Sequence, residues 1–87
     1  MTKSESDHIQ RIKSLPCGVC FAPAPSDAHH LTDCGRRIGH FITIPLCKSC
    51  HQDSDNGIHG NKTMWRIMKK TELGVLNETI AKIEGVL

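Results

Sequence analysis

Two Cys-x-x-Cys pairs constrain this chain more than any other feature of its sequence. Cys17 and Cys20 form the first pair, Cys47 and Cys50 form the second, and residues 21–46 separate them. Four thiolates in two such pairs are a typical ligand set of a tetrahedral structural zinc ion. The glycine inside the first pair permits the tight turn that directs both sulfurs at one ion. The sequence therefore predicts a structural Zn2+ site with no open coordination position.

The hydrophobic core that this chain can build is too small to stabilise a fold alone. The chain has 87 residues, enough for one small domain, and its three aromatic residues are Phe21, Phe41 and Trp65. Zinc supplies an apparent folding energy of about 10–16 kcal/mol in finger peptides, which exceeds what so thin a core provides. We therefore expect loss of the metal to unfold the domain.

Disulfide bonds are the competing use of the cysteines. No signal peptide and no apolar run long enough to cross a membrane is found in the sequence, so we expect a reducing, cytoplasmic setting and no membrane partner. Clustered cysteines in that setting usually bind metal. The fifth cysteine, Cys34, lies in a segment rich in glycine and arginine and is expected to be a free thiol.

Hydrophobic periodicity and turn residues divide the chain into three parts of a single α+β domain. Residues 1–16 are predicted to hold a loose polar tail followed by a packing helix over residues 8–15, capped by one of the two serines before it. Residues 17–60 hold the zinc framework. Residues 61–87 are predicted to form additional C-terminal helices.

The middle part is predicted to be a β-hairpin followed by a helix. Residues 27–46 have the pattern of an antiparallel hairpin with a long loop at residues 32–40. Residues 41–46 are apolar and β-branched and are typical of its second strand. A helix over residues 47–53 then carries the second cysteine pair in its first turn.

The C-terminal part is predicted to form two helices. Asn61 or Thr63 is expected to cap the first, which ends near Lys70 and buries Met64, Ile67 and Met68 with Trp65 beside them. The second begins at Thr71-Glu72 and ends near Glu84, and its apolar residues recur at steps of three and four: Leu73, Leu76, Ile80, Ile83 and Leu87. We expect this seam to pack on the domain's own core, with a homodimer contact as the alternative.

Five of the six histidines lie close to the zinc framework: His29, His30, His40, His51 and His59. The zinc site uses cysteines and leaves these histidines unexplained. Hydrolysis of a phosphodiester with one divalent ion needs neutral imidazoles or carboxylates to hold that ion. It also needs an imidazole with a pKa near neutrality to take a proton from the attacking water. The histidines therefore favour a nuclease site.

An ordered set of motifs in residues 17–60 resembles the HNH (ββα-metal) endonucleases in their zinc-bound, treble-clef-like form. The chain is similar to phage-encoded HNH proteins of the recombination-enhancement nuclease kind. The motifs are Cys17-Gly18-Val19-Cys20, Ala28-His29-His30-Leu31, Ile44-Pro45-Leu46-Cys47 with Cys50-His51, and Gly57-Ile58-His59-Gly60. The resemblance implies a metal-dependent endonuclease that cuts DNA to 5′-phosphate and 3′-hydroxyl ends. It also implies a phage or prophage protein in a bacterial cytoplasm.

The resemblance also implies a role for each histidine. His30 matches the general base that activates water, and His51 matches a ligand of a catalytic divalent ion, Mg2+ or a similar ion, with His29, His59 or both as its further ligands. The asparagine of the motif is absent before the second strand, and His40 is the nearest residue that can orient His30. Because adjacent strand residues point to opposite faces, His29 and His30 can share one site only if the strand bends.

The net charge is only +2, so the location of the positive charges decides whether this chain can bind DNA. Two arginines lie in the hairpin loop, one lysine opens the helix of the second cysteine pair, and further basic residues recur along the next helix. These residues suit contacts to phosphates, which position a duplex without reading its sequence. The alternative is a solvated surface. The predicted DNA-binding residues are Arg36, Arg37, Lys48, Lys62 and Arg66.

The sequence therefore predicts an HNH endonuclease with DNA as its substrate. The alternative is a zinc-stabilised nucleic-acid-binding module without catalysis, and the missing asparagine is the best argument for it. A third reading is an interaction protein that works through the C-terminal seam. A protein that recruits the chain to DNA is compatible with each of these readings.

Overall fold

The computed structural model of the chain describes residues 1–85. Two small antiparallel sheets, β1 with β4 and β2 with β3, combine with four described helices, which confirms the predicted α+β class. No helix among these residues has the length and apolar character needed to cross a membrane. In chain order the elements are α1 (Lys3–Lys13), β1 (Asp27–His30), β2 (Thr32–Asp33), β3 (Arg36–Arg37), β4 (Thr43–Leu46), α2 (Lys48–Gln52), α3 (Thr63–Ile67) and α4 (Glu72–Ile83).

The hairpin of β1 and β4 forms the centre of the fold. His29 pairs with Ile44 and Asp27 pairs with Leu46, so the predicted antiparallel hairpin over residues 27–46 is confirmed. All four residues of β4 are buried because α1 and α4 both pack against this strand. The predicted loop at residues 32–40 instead contains the small β2–β3 sheet.

Helix α1 begins at Lys3, so the prediction of a loose tail over residues 1–7 is wrong. Thr2 Oγ1 accepts a hydrogen bond from the Glu5 amide at 3.1 Å, and a Glu5 carboxylate oxygen accepts one from the Thr2 amide at 2.7 Å. This reciprocal pair is a capping box, which satisfies two amides at the helix start. Ile9 and Ile12 are the buried residues of α1.

Helix α3 is shorter than predicted and buries a different side chain. Lys62 precedes it with a φ of 56° and makes no side-chain cap, so neither predicted capping residue has that role. Lys69, with a φ of 56°, follows the helix and prevents its extension. Trp65 is 2% exposed, whereas Ile67 is 65% exposed, so the prediction that Ile67 is buried is wrong.

Helix α4 has nearly the predicted bounds but a different buried face. Val75 and Thr79 are its buried residues, whereas Leu73 is 73% exposed and Ile80 is 46% exposed. The prediction that the seam packs on the core is therefore wrong for these two residues. Leu87, the last residue of the predicted seam, lies outside the described residues. The buried face of α4 instead contacts the first cysteine pair through Val75.

That close contact depends on Gly18. The Gly18 amide donates a hydrogen bond to the Pro45 carbonyl at 2.9 Å, which joins the first cysteine pair to β4. A β-carbon at Gly18 would collide with Cγ1 of Val75 on α4. Gly18 therefore joins the cysteine pair, the hairpin and the last helix at one point.

The four cysteine sulfurs of the two pairs form one cluster. Sγ atoms of Cys17, Cys20, Cys47 and Cys50 all lie within 4.8 Å of one another, and those of Cys20 and Cys47 are 3.6 Å apart. Zn–S bonds of about 2.3 Å in a tetrahedron place neighbouring sulfurs about 3.8 Å apart. A disulfide would need about 2.05 Å. The cluster therefore fits the predicted metal ion.

The surroundings of these sulfurs also fit a bound cation. Backbone amides of Val19 and Cys50 each donate to a cysteine sulfur at 3.4 Å. Burial opposes ionisation of Cys17, but hydrogen bonds from backbone amides outweigh it and lower its pKa to about 7. Burial and the neighbouring Cys17 raise the pKa of Cys50. Without a cation the four thiols cannot all ionise, because each thiolate opposes the ionisation of its neighbours. A divalent cation stabilises every thiolate at once. Cys34 is exposed and lies outside the cluster.

We predict that Cys50→Ser abolishes cooperative folding at room temperature. Zinc-coupled folding energies of about 10–16 kcal/mol match or exceed the total stability of a typical domain, about 5–15 kcal/mol. Zinc content by a colorimetric chelator and thermal melts by circular dichroism measure the effect. Cys34→Ser is the matched control and should change the free energy of unfolding by less than about 0.5 kcal/mol. A Cys50→Ser protein that melts like the wild type without zinc would contradict the prediction.

We predict that Gly18→Ala destabilises the zinc-loaded protein by about 1–3 kcal/mol, because the new methyl group overpacks the contact with Val75. Denaturant titration at saturating zinc measures the change. Gly39→Ala is the control, since no heavy atom lies within 4 Å of a β-carbon there. It should be neutral or stabilising by up to about 1 kcal/mol. Equal effects of the two substitutions would show that α4 does not depend on this contact.

Candidate metal and catalytic centre

Three histidines from three separate segments converge beside the cysteine cluster. His29 lies in β1, His51 in α2 and His59 in the loop between α2 and α3. One ligand atom from each lies within 4.8 Å of the other two. The ring centroids are 5.1 Å apart for His29 and His51, 5.4 Å for His29 and His59, and 5.5 Å for His51 and His59. Three imidazoles so close together can hold one metal ion.

The cysteine cluster positions two of these histidines. His51 directly follows Cys50, so a member of the cysteine cluster fixes the backbone that carries the His51 ring. The Ile58 amide donates to the Cys50 carbonyl at 2.9 Å, which holds the segment before His59 against α2. Gly60 completes this loop, because a β-carbon there would collide with the loop's own backbone at Ser54.

Two carboxylates that the sequence analysis missed hold two of the rings. Asp27 Oδ2 lies 3.0 Å from His51 Nδ1, and Glu72 Oε1 lies 2.9 Å from His29 Nε2. Such carboxylates orient metal-binding imidazoles and raise their basicity. The hydrogen bond from His51 lowers the pKa of Asp27, so the carboxylate is ionised. Burial lowers the pKa of His29, which favours the neutral ring that a metal requires.

A fourth histidine, His30, lines the same pocket and contacts a fifth, His40. The pocket has a volume of about 410 Å³, and its wall includes His30 together with His29, His51 and His59. His30 Nε2 lies 3.0 Å from His40 Nδ1, which leaves Nδ1 of His30 free. Burial, Arg37 and the neighbouring histidines lower the pKa of His30, so its ring is neutral at neutral pH. The neutral ring can accept a proton. His29 and His30 are the last two residues of β1, and both line this pocket.

The predicted DNA-binding residues are not all at this pocket. Arg37 and Lys62 line it. Arg66 lines a neighbouring groove, and Arg36 is exposed on β3 without lining either cavity. Lys48 Nζ lies 3.1 Å from a carboxylate oxygen of Asp27, so its charge is already paired.

Comparison with known proteins adds evidence from most of the chain. A family model described as recombination enhancement, RecA-dependent nuclease matches residues 1–78. Searches of curated proteins and of solved structures found no match. The matched range includes the cysteine cluster and the histidine pocket, and the predicted enzyme class, a nuclease, agrees with this description. The chain therefore belongs to the family of recombination-enhancement, RecA-dependent nucleases.

Proposed function

We propose that this chain is an HNH-type endonuclease that hydrolyses phosphodiester bonds of DNA. In this proposal β1, β4 and α2 form the ββα-metal core in a treble-clef-like arrangement. The observation that carries the proposal is the convergence of His29, His51 and His59 on a pocket whose wall also holds His30. The family supports a nuclease, and this convergence supports the mechanism.

The three-histidine cluster would hold the catalytic divalent ion. When bound, such an ion neutralises charge on the phosphate and on the departing oxygen. Imidazole ligands suit ions of the zinc and nickel type, whereas Mg2+ prefers oxygen ligands and retains several waters. We therefore propose a transition-metal ion in this site, with Mg2+ as the weaker activator.

The remaining pocket residues would perform proton transfer and substrate positioning. His30 accepts the proton of the attacking water through its free Nδ1 atom, while His40 holds the ring through Nε2. His40 thereby takes the position of the asparagine that the motif lacks. Arg37 and Lys62 are placed to neutralise the non-bridging oxygens of the phosphate that is cleaved.

A protein partner is also part of the proposal. The description of the family includes dependence on RecA, and we propose the same dependence for this chain. RecA then strengthens the recruitment to DNA, which a protein with a net charge of only +2 supports weakly by itself. A comparison of nicking with and without RecA filaments tests this dependence separately from the chemistry.

We predict that His30→Ala lowers the rate of plasmid nicking by about 10²–10⁴-fold, because the water loses its general base. Zinc-loaded protein is assayed with Mg2+, Mn2+ and Ni2+, so that failure with one ion does not decide the outcome. His8→Ala is the matched control, since His8 lines neither cavity, and it should remain within a few-fold of the wild type. Folded wild-type protein that binds DNA but cuts it in no ion, with RecA filaments present or absent, would support a binding module instead.

We predict that Asp27→Asn weakens binding of the second metal ion by about 10–100-fold, because the amide holds the His51 ring less firmly than a carboxylate. Isothermal titration with Ni2+ on zinc-loaded protein measures this affinity, and zinc content checks that the cysteine site is intact. Asp33→Asn, on the exposed strand β2, is the control and should leave the affinity unchanged. Equal affinities for both variants would remove Asp27 from the site.

A further inference from the structure

We propose that a second groove, between α3 and the start of α4, binds the sugar–phosphate backbone of DNA on one side of the cleaved phosphate. This inference rests on the proposed nuclease function, because it places the cleaved phosphate in the histidine pocket. The groove has a volume of about 480 Å³. Ile58, Lys62 and Glu72 line both cavities, so the groove adjoins the histidine pocket.

The charges of this groove suit phosphates. Lys62 and Arg66 line it and are exposed. A guanidinium N–H of Arg66 bonds the Asn61 carbonyl, but the group has five N–H donors, so others remain for a phosphate. Lys70 also lines the groove, but Glu78 neutralises it at 2.9 Å. The positive potential therefore comes from Lys62 and Arg66.

The acidic residue of the groove, Glu72, lies where the groove adjoins the histidine pocket. The carboxylate of Glu72 is directed at His29, with its Oε1 atom 2.9 Å from Nε2. In that position it belongs to the wall between the two cavities. A strand that passes from the pocket into the groove would meet Lys62 at the junction and Arg66 beyond it. The groove would therefore hold phosphates on only one side of the cleaved bond, and the order of attacking water and departing oxygen at the cleaved phosphate decides which side.

The apolar part of the groove excludes recognition of bases by stacking. Trp65 lies in the wall but is only 2% exposed, and its Nε1 atom donates to the Cys50 carbonyl at 3.0 Å. Leu73, on the opposite side, is 73% exposed and can contact a sugar. Without an exposed aromatic ring the groove cannot provide a stacking platform. The ligand class is therefore the DNA backbone, independent of sequence.

The first test measures DNA binding without cleavage. Zinc-loaded full-length protein, with no further divalent ion added, is titrated against a short fluorescein-labelled duplex at several salt concentrations. We expect Arg66→Gln to weaken binding several-fold and to reduce the slope of log K against log salt by about one. Arg11→Gln is the matched control, because Arg11 is also an exposed arginine in the last turn of its helix and lines neither cavity.

The binding test separates this inference from the proposed function. If Arg66→Gln binds as tightly as Arg11→Gln, the groove is not a DNA site, whatever the nicking assay shows. If wild-type protein never cuts DNA but Arg66→Gln still binds DNA more weakly than the control, the nuclease mechanism is wrong, but the groove is still a DNA-binding site.

The second test measures the direction of the bound strand. One neutral methylphosphonate linkage is placed in a labelled DNA strand, and cleavage is mapped at the bonds on either side of it. We expect the wild type to lose cleavage on one side of the neutral linkage only, because only the phosphates on one side lie in the groove. Arg66→Gln should lose this asymmetry. Symmetric suppression by the wild type, or the same asymmetry in both proteins, would overturn the proposal.

Discussion

The cluster of four cysteine sulfurs, which can share one cation, is the feature on which the rest of this structure depends. The described core is small, and its buried members include Cys17 and Cys50 themselves. Trp65, the largest buried aromatic side chain, hydrogen-bonds the backbone of Cys50, and Val75 packs against the glycine of the first cysteine pair. The hydrophobic core is therefore built around the metal cluster. This arrangement suits a chain that is too short to stabilise its fold by burying apolar surface alone.

The same cluster also limits how far the histidine pocket can move. His51 is covalently next to a thiolate ligand, and the segment before His59 is hydrogen-bonded to that ligand's carbonyl. His29 is held from the other direction by Glu72, the first residue of α4. A site assembled from a strand, a helix and a loop needs such support, because a displacement of about 1 Å can cost much of the catalytic rate.

Sequence patterns predicted the parts of this fold that depend on local or strongly periodic signals. The spacing of the cysteine pairs indicated the cluster, and the apolar run before Cys47 indicated β4. The contact between His29 and Glu72 joins residues 43 positions apart and has no local signature. The buried face of α4 was misassigned because its orientation is set by Gly18, which belongs to a distant part of the chain. The capping box at Thr2 was visible in the sequence and was overlooked.

The two clusters differ in chemistry in a way that explains why the chain has both. Thiolates enclose an ion completely and leave it no open position, which suits a permanent structural role. In the proposed mechanism, three imidazoles would leave positions on their ion for a phosphate oxygen, and they line a pocket that adjoins a groove carrying Lys62 and Arg66. Because cysteine and histidine ligands are segregated, the two sites can have different roles, a structural one in the cysteine cluster and, in the proposal, a catalytic one at the histidines. The ligand set around each ion, and not the identity of the ion, would then decide which role each site has.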